Sequence, residues 1–327
     1  MIKPLISLAA LACAFPLQAQ EAPKAPVTPN DVVAAASAKD WVRIPAEDLL
    51  VMDFAPGMNG KPRRVVIQLM PAPFSQGWVE NIKTLARAHW WDGLSIYRSV
   101  DNWVVQWGDG EEEEADRTRP AKPLPEGLNV VPESEYVVSV LADEADQAGP
   151  LGLIDSYAEA VGLVRGLPVA QSGDAWWPTH CYASVGVARN LSPDTGTGAE
   201  LYAVIGHAPR QLDRNIAVVG RVIEGIQHLS VLPRGTGTYG VYETEAEHTS
   251  IMQVRLASEL QETASGSEAT GTQGLPQPVF EYLDTSSESF ARYAEVSANR
   301  NDDFYKAPAG GIDICNLKVP IRRVPTE

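Results

Sequence analysis

The chain has 327 residues, of which 42 are acidic and 26 basic, giving a formal charge of −16, and 44 % of it is hydrophobic. So acidic a protein repels phosphate backbones and shows no basic patch, which sets nucleic acid aside as a partner. The apolar content supports a proper core in one large domain with extensions or in two domains, and beyond the N-terminus no apolar run is long enough to span a bilayer.

Residues 1–19 read as an export signal: Lys3 is the charged start, Leu5 to Phe15 the apolar middle, and Leu17-Gln18-Ala19 the cleavage site. Lipid attachment through Cys13 fits less well, because Ala10-Leu11-Ala12 makes a poor lipobox. The mature protein is therefore expected in the periplasm or secreted. Cys181 and Cys315 outlast cleavage, and a disulfide or two buried thiols are both open. Residues 20–39, rich in Pro and Ala, read as a flexible linker.

Order is expected from Asp40-Trp41, with strands over 49–54 and 64–70; in the second, Val65, Ile67 and Leu69 share one face. Ser75 offers an N-cap to a helix in which Trp78, Ile82, Leu85 and Ala86 recur at helical spacing, ending near His89. Two strands, Ile96 to Val100 and Trp103 to Trp107, flank an Asp101-Asn102 turn. Alternation places Trp103, Val105 and Trp107 on one face and Val104 and Gln106 on the other. Arg98 and Gln106 are thereby set among large apolar side chains. A guanidinium with five donors in a rigid fork suits gripping a carbonyl oxygen there, although a lone strand arginine more often lies over the sheet with its head in water.

The four glutamates from Glu111 open a solvated loop. Tyr136 to Leu141 reads as a strand and Ser156 to Val164 as a short helix. Extended structure returns over 176–187, 200–205, 216–222 and 251–256, with a short helix over 224–229. A Ser/Thr/Gly-rich linker over 262–277 precedes a helix over 287–298 and an extended segment over 312–321. No internal repeat is present.

Arg234 to Gly240 contains G-x-G-x-x-G, but no strand and helix frame it as a dinucleotide site requires, so a plain glycine loop is the better account. His180, Cys181, His207, His228, His248 and Cys315 show no zinc spacing, and no metal site is assigned. Ser184 lacks a nucleophile elbow, because Tyr182 stands where the first glycine of G-x-S-x-G would.

Three segments together resemble the cyclophilin family of peptidyl-prolyl isomerases. Arg64 to Met70 followed by Val79-Glu80-Asn81-Ile82 is similar to the first strand and V-x-N-F helix. Tyr97-Arg98 through Gln106-Trp107-Gly108-Asp109 resembles F-H-R-V-x-x-x-F-M-x-Q-G-G-D. Gly198 to Tyr202, Leu212-Asp213 and Val218 to Gly225 are similar to G-S-Q-F-F, L-D and V-F-G-x-V-x-x-G. The resemblance implies a mainly β fold: a closed eight-stranded barrel with two capping helices over 40–257, a loop insertion near 110–174 and a C-terminal extension over 258–327. It implies Arg98 as the catalytic arginine and Trp103, Val104, Gln106, Glu200, Tyr202, Leu212 and Ile216 as substrate-binding positions. Glu200 stands in place of the family's glutamine, Ile216 where many animal members have histidine, and Gln211 where they have tryptophan.

The activity implied is cis-trans isomerisation of X–Pro bonds in exported, proline-containing polypeptides, by a monomer that needs neither metal nor cofactor. The alternative is a catalytically weak cyclophilin-like chaperone or peptide-binding protein of the envelope, in which Glu200 reaches back and ties up the Arg98 guanidinium.

Overall fold

The computed structural model describes residues 27–57, 60–110, 120–139, 155–260 and 277–324. The expected signal segment with Cys13, the glutamate run and nearly all of the 262–277 linker lie outside the described residues.

Eight antiparallel strands close into a barrel. In chain order they are β2 (Leu49–Phe54), β3 (Arg63–Leu69), β4 (Ser95–Ser99), β5 (Val104–Gly108), β10 (Ser184–Val187), β11 (Leu201–Val204), β12 (Val218–Glu224) and β13 (Thr249–Leu256). Around the barrel the order is β10-β11-β5-β4-β13-β2-β3-β12, and β12 pairs back to β10. Closure leaves the sheet no unpaired edge. Alternate residues fill the lumen, among them Leu50, Met52, Phe54, Val65, Ile67, Leu69, Val105, Trp107, Leu201 and Ala203. Helix α2 (Gln76–Arg87) buries Trp78, Val79, Ile82, Leu85 and Ala86 in that same core, as their spacing predicts. Ser75, however, does not cap the helix through its side chain; it sits at φ 56 and its hydroxyl donates to Val218 O at 2.8 Å. A second helix, α3 (Gln227–Ser230), is a single turn anchored by Leu229.

Outside the barrel lie two small sheets. The insertion forms a four-stranded one, ordered β6-β9-β8-β7, from β6 (Val138–Ser139), β7 (Ala160–Val164), β8 (Leu167–Ser172) and β9 (Ala175–Pro178). The short helix expected over 156–164 is instead strand β7. Val161 and Leu163 share one buried face with period two, and Arg165-Gly166, at φ 47 and 80, turn the chain straight into β8.

The other sheet joins β1 (Trp41–Arg43), β14 (Phe280–Leu283) and β15 (Ile321–Arg323), ordered β1-β14-β15. Trp41 and Val42 therefore belong with the C-terminal extension, and the barrel begins only at Leu49. The described part of the expected 20–39 linker, residues 27–39, departs from a flexible segment: α1 (Pro29–Ala35) is a helix with proline in its first turn, a reciprocal Thr28/Asp31 capping box, and Val32 buried. Of the extended segment expected over 312–321, only Ile321 enters a strand. Helix α4 (Glu288–Ala298) forms where its pattern predicts, with Ser287 Oγ accepting from Phe290 N at 3.1 Å.

These outer elements build a second core. Leu49, Val51 and Val66, on the outward face of β2 and β3, pack with Trp41, Phe280, Leu283, Phe290, Ile314 and Leu317. That is why β2 is buried along its whole length, without the alternation a half-exposed strand would show. A Cys181–Cys315 disulfide joins the extension to the barrel across 134 residues of sequence, resolving the choice between a bridge and two thiols. Among the described residues no helix is long and apolar enough to cross a membrane.

Candidate active site

The β4–β5 hairpin and β11 carry the site on the outer wall of the barrel, because its lumen is already packed. Tyr202 pairs with Gln106 and Val204 with Val104 across β11 and β5, so all four side chains leave the sheet on the same side. Between Ile96 and Arg98 the β4–β5 register shifts, and at this bulge Tyr97 and Arg98 both come to line the outer cavity. Asn102, at φ 51, closes the turn, and its side-chain oxygen accepts from His207 N at 2.9 Å.

Alternation misplaces Trp103. It lies in the turn, before the pleat of β5 is established, and packs with Val104, Val204 and Tyr202 instead of with Val105 and Trp107. Its ring lies under the Arg98 guanidinium, 5.6 Å from centroid to carbon.

The cavity, about 480 Å³, is lined by Arg98, Trp103, Val104, Gln106, Tyr202, Leu212 and Ile216 at one end and by Tyr97, Asp109, Lys122 and Glu200 toward the other. Every residue expected at the site lines it. Tyr97 was not among them; its outward aim depends on the bulge, which no alternation pattern signals.

A directed chain of hydrogen bonds runs beneath the rim. Arg98 Nη1 donates to Gln106 Oε1 at 2.9 Å, Gln106 Nε2 donates to the Tyr97 hydroxyl, and that hydroxyl donates to Glu200 Oε2 at 2.9 Å. Glu200 Oε1 accepts from Asp109 N at 2.6 Å. The expectation that Glu200 ties up Arg98 is overturned: Tyr97 and the Asp109 amide hold the carboxylate, which covers Gly108 so closely that a Cβ there would lie 2.2 Å from Oε2. Burial pushes the Glu200 carboxyl up to about 7, outweighing the lowering by the Asp109 amide and the Tyr97 hydroxyl.

Arg98 Nε donates to Tyr239 O at 2.8 Å. Among the described residues no acceptor meets Nη2. The guanidinium is therefore held at Nε and Nη1, with the Nη2 donors left over.

Behind the apolar end lies a second buried network. Tyr202 OH and His180 Nε2 are 2.8 Å apart, and His180 Nδ1 is 2.9 Å from Asp213 Oδ1. Asp213 also accepts from His180 N at 2.9 Å and from Arg210 Nε at 2.6 Å, while Arg210 Nη1 reaches Asp155 of the insertion at 2.6 Å. Although burial alone would raise it, the Asp213 carboxyl is held below its usual range by its bonds from His180 and by the Arg210 charge. An ionised Asp213 can only accept, so Nδ1 carries a proton, and in the neutral imidazole Nε2 then accepts from Tyr202. The hydroxyl thus points into the protein, and the tyrosine offers the cavity an apolar ring. Gly186, opposite Tyr202 on β10, makes room for that ring; a Cβ there would fall 2.3 Å from it. Both ring nitrogens of His180 are engaged within this network. Ser184 is likewise occupied, accepting from Cys181 N at 2.9 Å and donating to Thr179 O at 3.2 Å. Among the described residues no three His, Cys, Asp or Glu side chains gather as a metal site would need.

A closed antiparallel barrel with its polar-rimmed apolar pocket on the outer wall is the class that fold and site define. Residues 59–255 match the family model for the cyclophilin type peptidyl-prolyl cis-trans isomerase, and the chain belongs to that family. It is similar to cyclophilin AquaCyp293 from Hirschia baltica at 17 % identity and a TM-score of 0.61, covering 92 % of this chain and 99 % of that one, so the shared fold takes in more than the barrel. A cyclophilin type isomerase of Cryptosporidium parvum, solved in the presence of the dipeptide Ala-Pro, is similar at 10 % identity and a TM-score of 0.34, over 63 % of this chain and 98 % of that one. No curated protein sequence matches.

Proposed function

We propose that the outer cavity binds X–Pro segments and that Arg98 is the catalytic residue of the isomerase. The amide barrier of ~18–20 kcal/mol comes from resonance that gives the C–N bond partial double-bond character. Twisting the amide returns a lone pair to the proline nitrogen, so a catalyst need only bind the twisted form better than the planar one. Arg98 Nη2 donates to that nitrogen while Trp103, Val104, Tyr202, Leu212 and Ile216 hold the ring, and Gln106 orients the residue before proline. No proton is transferred and no covalent bond is made. The observation that carries this reading is a guanidinium clamped through Nε and Nη1 beside an apolar cavity, with Nη2 left for a ligand.

In a protease-coupled isomerisation assay, Arg98→Ala is expected to lower kcat/KM by about a hundredfold or more, the loss associated with one preorganised transition-state donor. Unchanged catalysis would overturn the assignment.

The substrates are proline-containing polypeptides met after export, in the periplasm or outside the cell. Two features support that compartment: the signal-like residues 1–19, and a disulfide as wide-spanning as Cys181–Cys315, which persists where thiols are oxidised. Cell fractionation tests it, with a mature N-terminus at Gln20 as the expected result and retention of intact protein in the cytoplasm as the contrary one.

A further inference from the structure

The glycine loop Arg234 to Gly240 binds no nucleotide in the reading above, yet it is folded with unusual constraint. Gly235 N donates to Ser99 O at 2.9 Å, Tyr242 N donates to Tyr97 O at 2.9 Å, and Val241 forms a bridge with Arg98, so the loop is laced to the strand that carries the arginine. Its glycines permit close packing. A Cβ on Gly235 would lie 2.1 Å from Gly240 O, and one on Gly240, at φ +80, would lie 2.8 Å from Val100 Cγ2.

Within this loop Tyr239 adopts φ 56 and ψ 19, a left-handed conformation that disfavours L residues with a Cβ. The ring gains no burial in return, being 79 % exposed. What the conformation achieves is the aim of the Tyr239 carbonyl at Arg98 Nε, 2.8 Å away. A backbone outlier held by its surroundings beside a reactive group is where strain serves function.

We infer that the Arg234–Gly240 loop is a positioning device for Arg98, with Tyr239 as the positioning residue. Its carbonyl takes Nε while Gln106 takes Nη1, and two acceptors at fixed points set the plane of the guanidinium. Nη2, engaged by neither, is then the donor left for the cavity that Arg98 lines before any ligand arrives. The loop thus supplies preorganisation: without it the arginine still carries its charge but samples rotamers that miss the proline nitrogen.

This rests on Arg98 being the catalytic group, so Arg98→Ala is measured alongside. Tyr239→Pro fixes φ near −65° and swings the carbonyl away, and among the described residues the Tyr239 N–H has no acceptor to lose. The expected result is a fall of at least tenfold in kcat with KM changed less than threefold, measured at a temperature where the variant is folded by circular dichroism, since proline at a native φ of 56 also lowers stability. The Arg98 Nε–H resonance is expected to exchange slowly in the parent protein, where it is hydrogen-bonded to Tyr239 O, and fast in the variant. Tyr239→Asn, at ease in the left-handed region, should recover most of the lost turnover and the slow exchange. Should Arg98→Ala abolish catalysis while Tyr239→Pro retains full turnover, or should Tyr239→Asn fail as badly as the proline variant, the positioning role is wrong and the site reading stands. Should Arg98→Ala itself leave catalysis intact, the site reading falls first.

Discussion

The Tyr202 hydroxyl donates to His180 Nε2 across 2.8 Å, and this one bond decides the character of the pocket wall that Tyr202 forms. With the hydroxyl turned inward, a polar residue does the work of an apolar one. Its ring is braced by a histidine whose tautomer Asp213 dictates, and the brace extends through Arg210 to Asp155 in the insertion sheet. The four anchoring side chains, from His180 to Asp155, are at least nine-tenths buried. The same low-dielectric setting that strengthens such bonds makes any missing partner costly.

Tyr202→Phe keeps the ring but leaves His180 Nε2 buried without a donor. The expected outcome is a loss of about 1–3 kcal/mol in unfolding free energy, the desolvation penalty of an unsatisfied polar atom, read by chemical denaturation. KM for a proline peptide should stay within about twofold of the parent, since the pocket surface is unchanged.

Glu200 makes stability depend on pH in a definite direction. Its folded pKa, about 7, lies above the ordinary 4.5, so the unfolded chain releases the proton first as pH rises. The stabilisation associated with the protonated form is complete below about pH 4.5 and is lost as pH climbs through about 7. With partial exposure allowed for, the span is on the order of 2–3 kcal/mol. Glu200→Gln should flatten that slope, measured as denaturation midpoints from pH 4.5 to 8; an unaltered slope would assign the effect elsewhere.

Arg98→Lys tests whether geometry or charge matters. A lysine ammonium cannot serve Tyr239 O, Gln106 Oε1 and a ligand in one plane as the guanidinium does. Turnover should fall nearly as far as in the alanine variant, by at least about 30-fold against the hundredfold expected for losing one oriented donor, with folding unaffected.

The Cys181–Cys315 bridge closes a loop of 134 residues, which chain-entropy arguments associate with up to about 5 kcal/mol. Cys315→Ser, or reduction, should lower stability by several kcal/mol and expose the 277–324 region to limited proteolysis before the barrel is cut. Simultaneous cleavage of both would show that the extension does not open separately.

Much of the barrel was legible because its strands are short runs of branched and other apolar residues bounded by turn signals, and α2 repeats apolar residues at helical spacing. Arg98, Gln106 and Tyr202 were legible because they sit in motifs with fixed internal spacing. The remainder depended on tertiary context. β7 reads as a helix until the Arg165-Gly166 turn is recognised, and α1 hides within a Pro/Ala-rich segment whose signal is the Thr28/Asp31 cap. Tyr97 becomes a site residue only through a bulge, and Glu200 turns from the arginine because Tyr97 and the Asp109 amide compete for it more closely. The pairing of β1 with β14 joins Trp41 to Leu283, about three quarters of the chain away in sequence, which local pattern cannot foresee.

That last pairing has a consequence for biogenesis. A chain emerging head first presents Trp41 to Arg43 long before Phe280 to Leu283 exist, so β1 must wait for the synthesis of the barrel and the insertion before its hydrogen-bonding neighbour appears. The barrel can assemble meanwhile, but the outward apolar face of β2 and β3 stays wet until the tail arrives to cover it. Chains truncated ahead of Phe280 would therefore be sticky intermediates, and a holdase that shields this face during translation or export would raise the yield of finished protein.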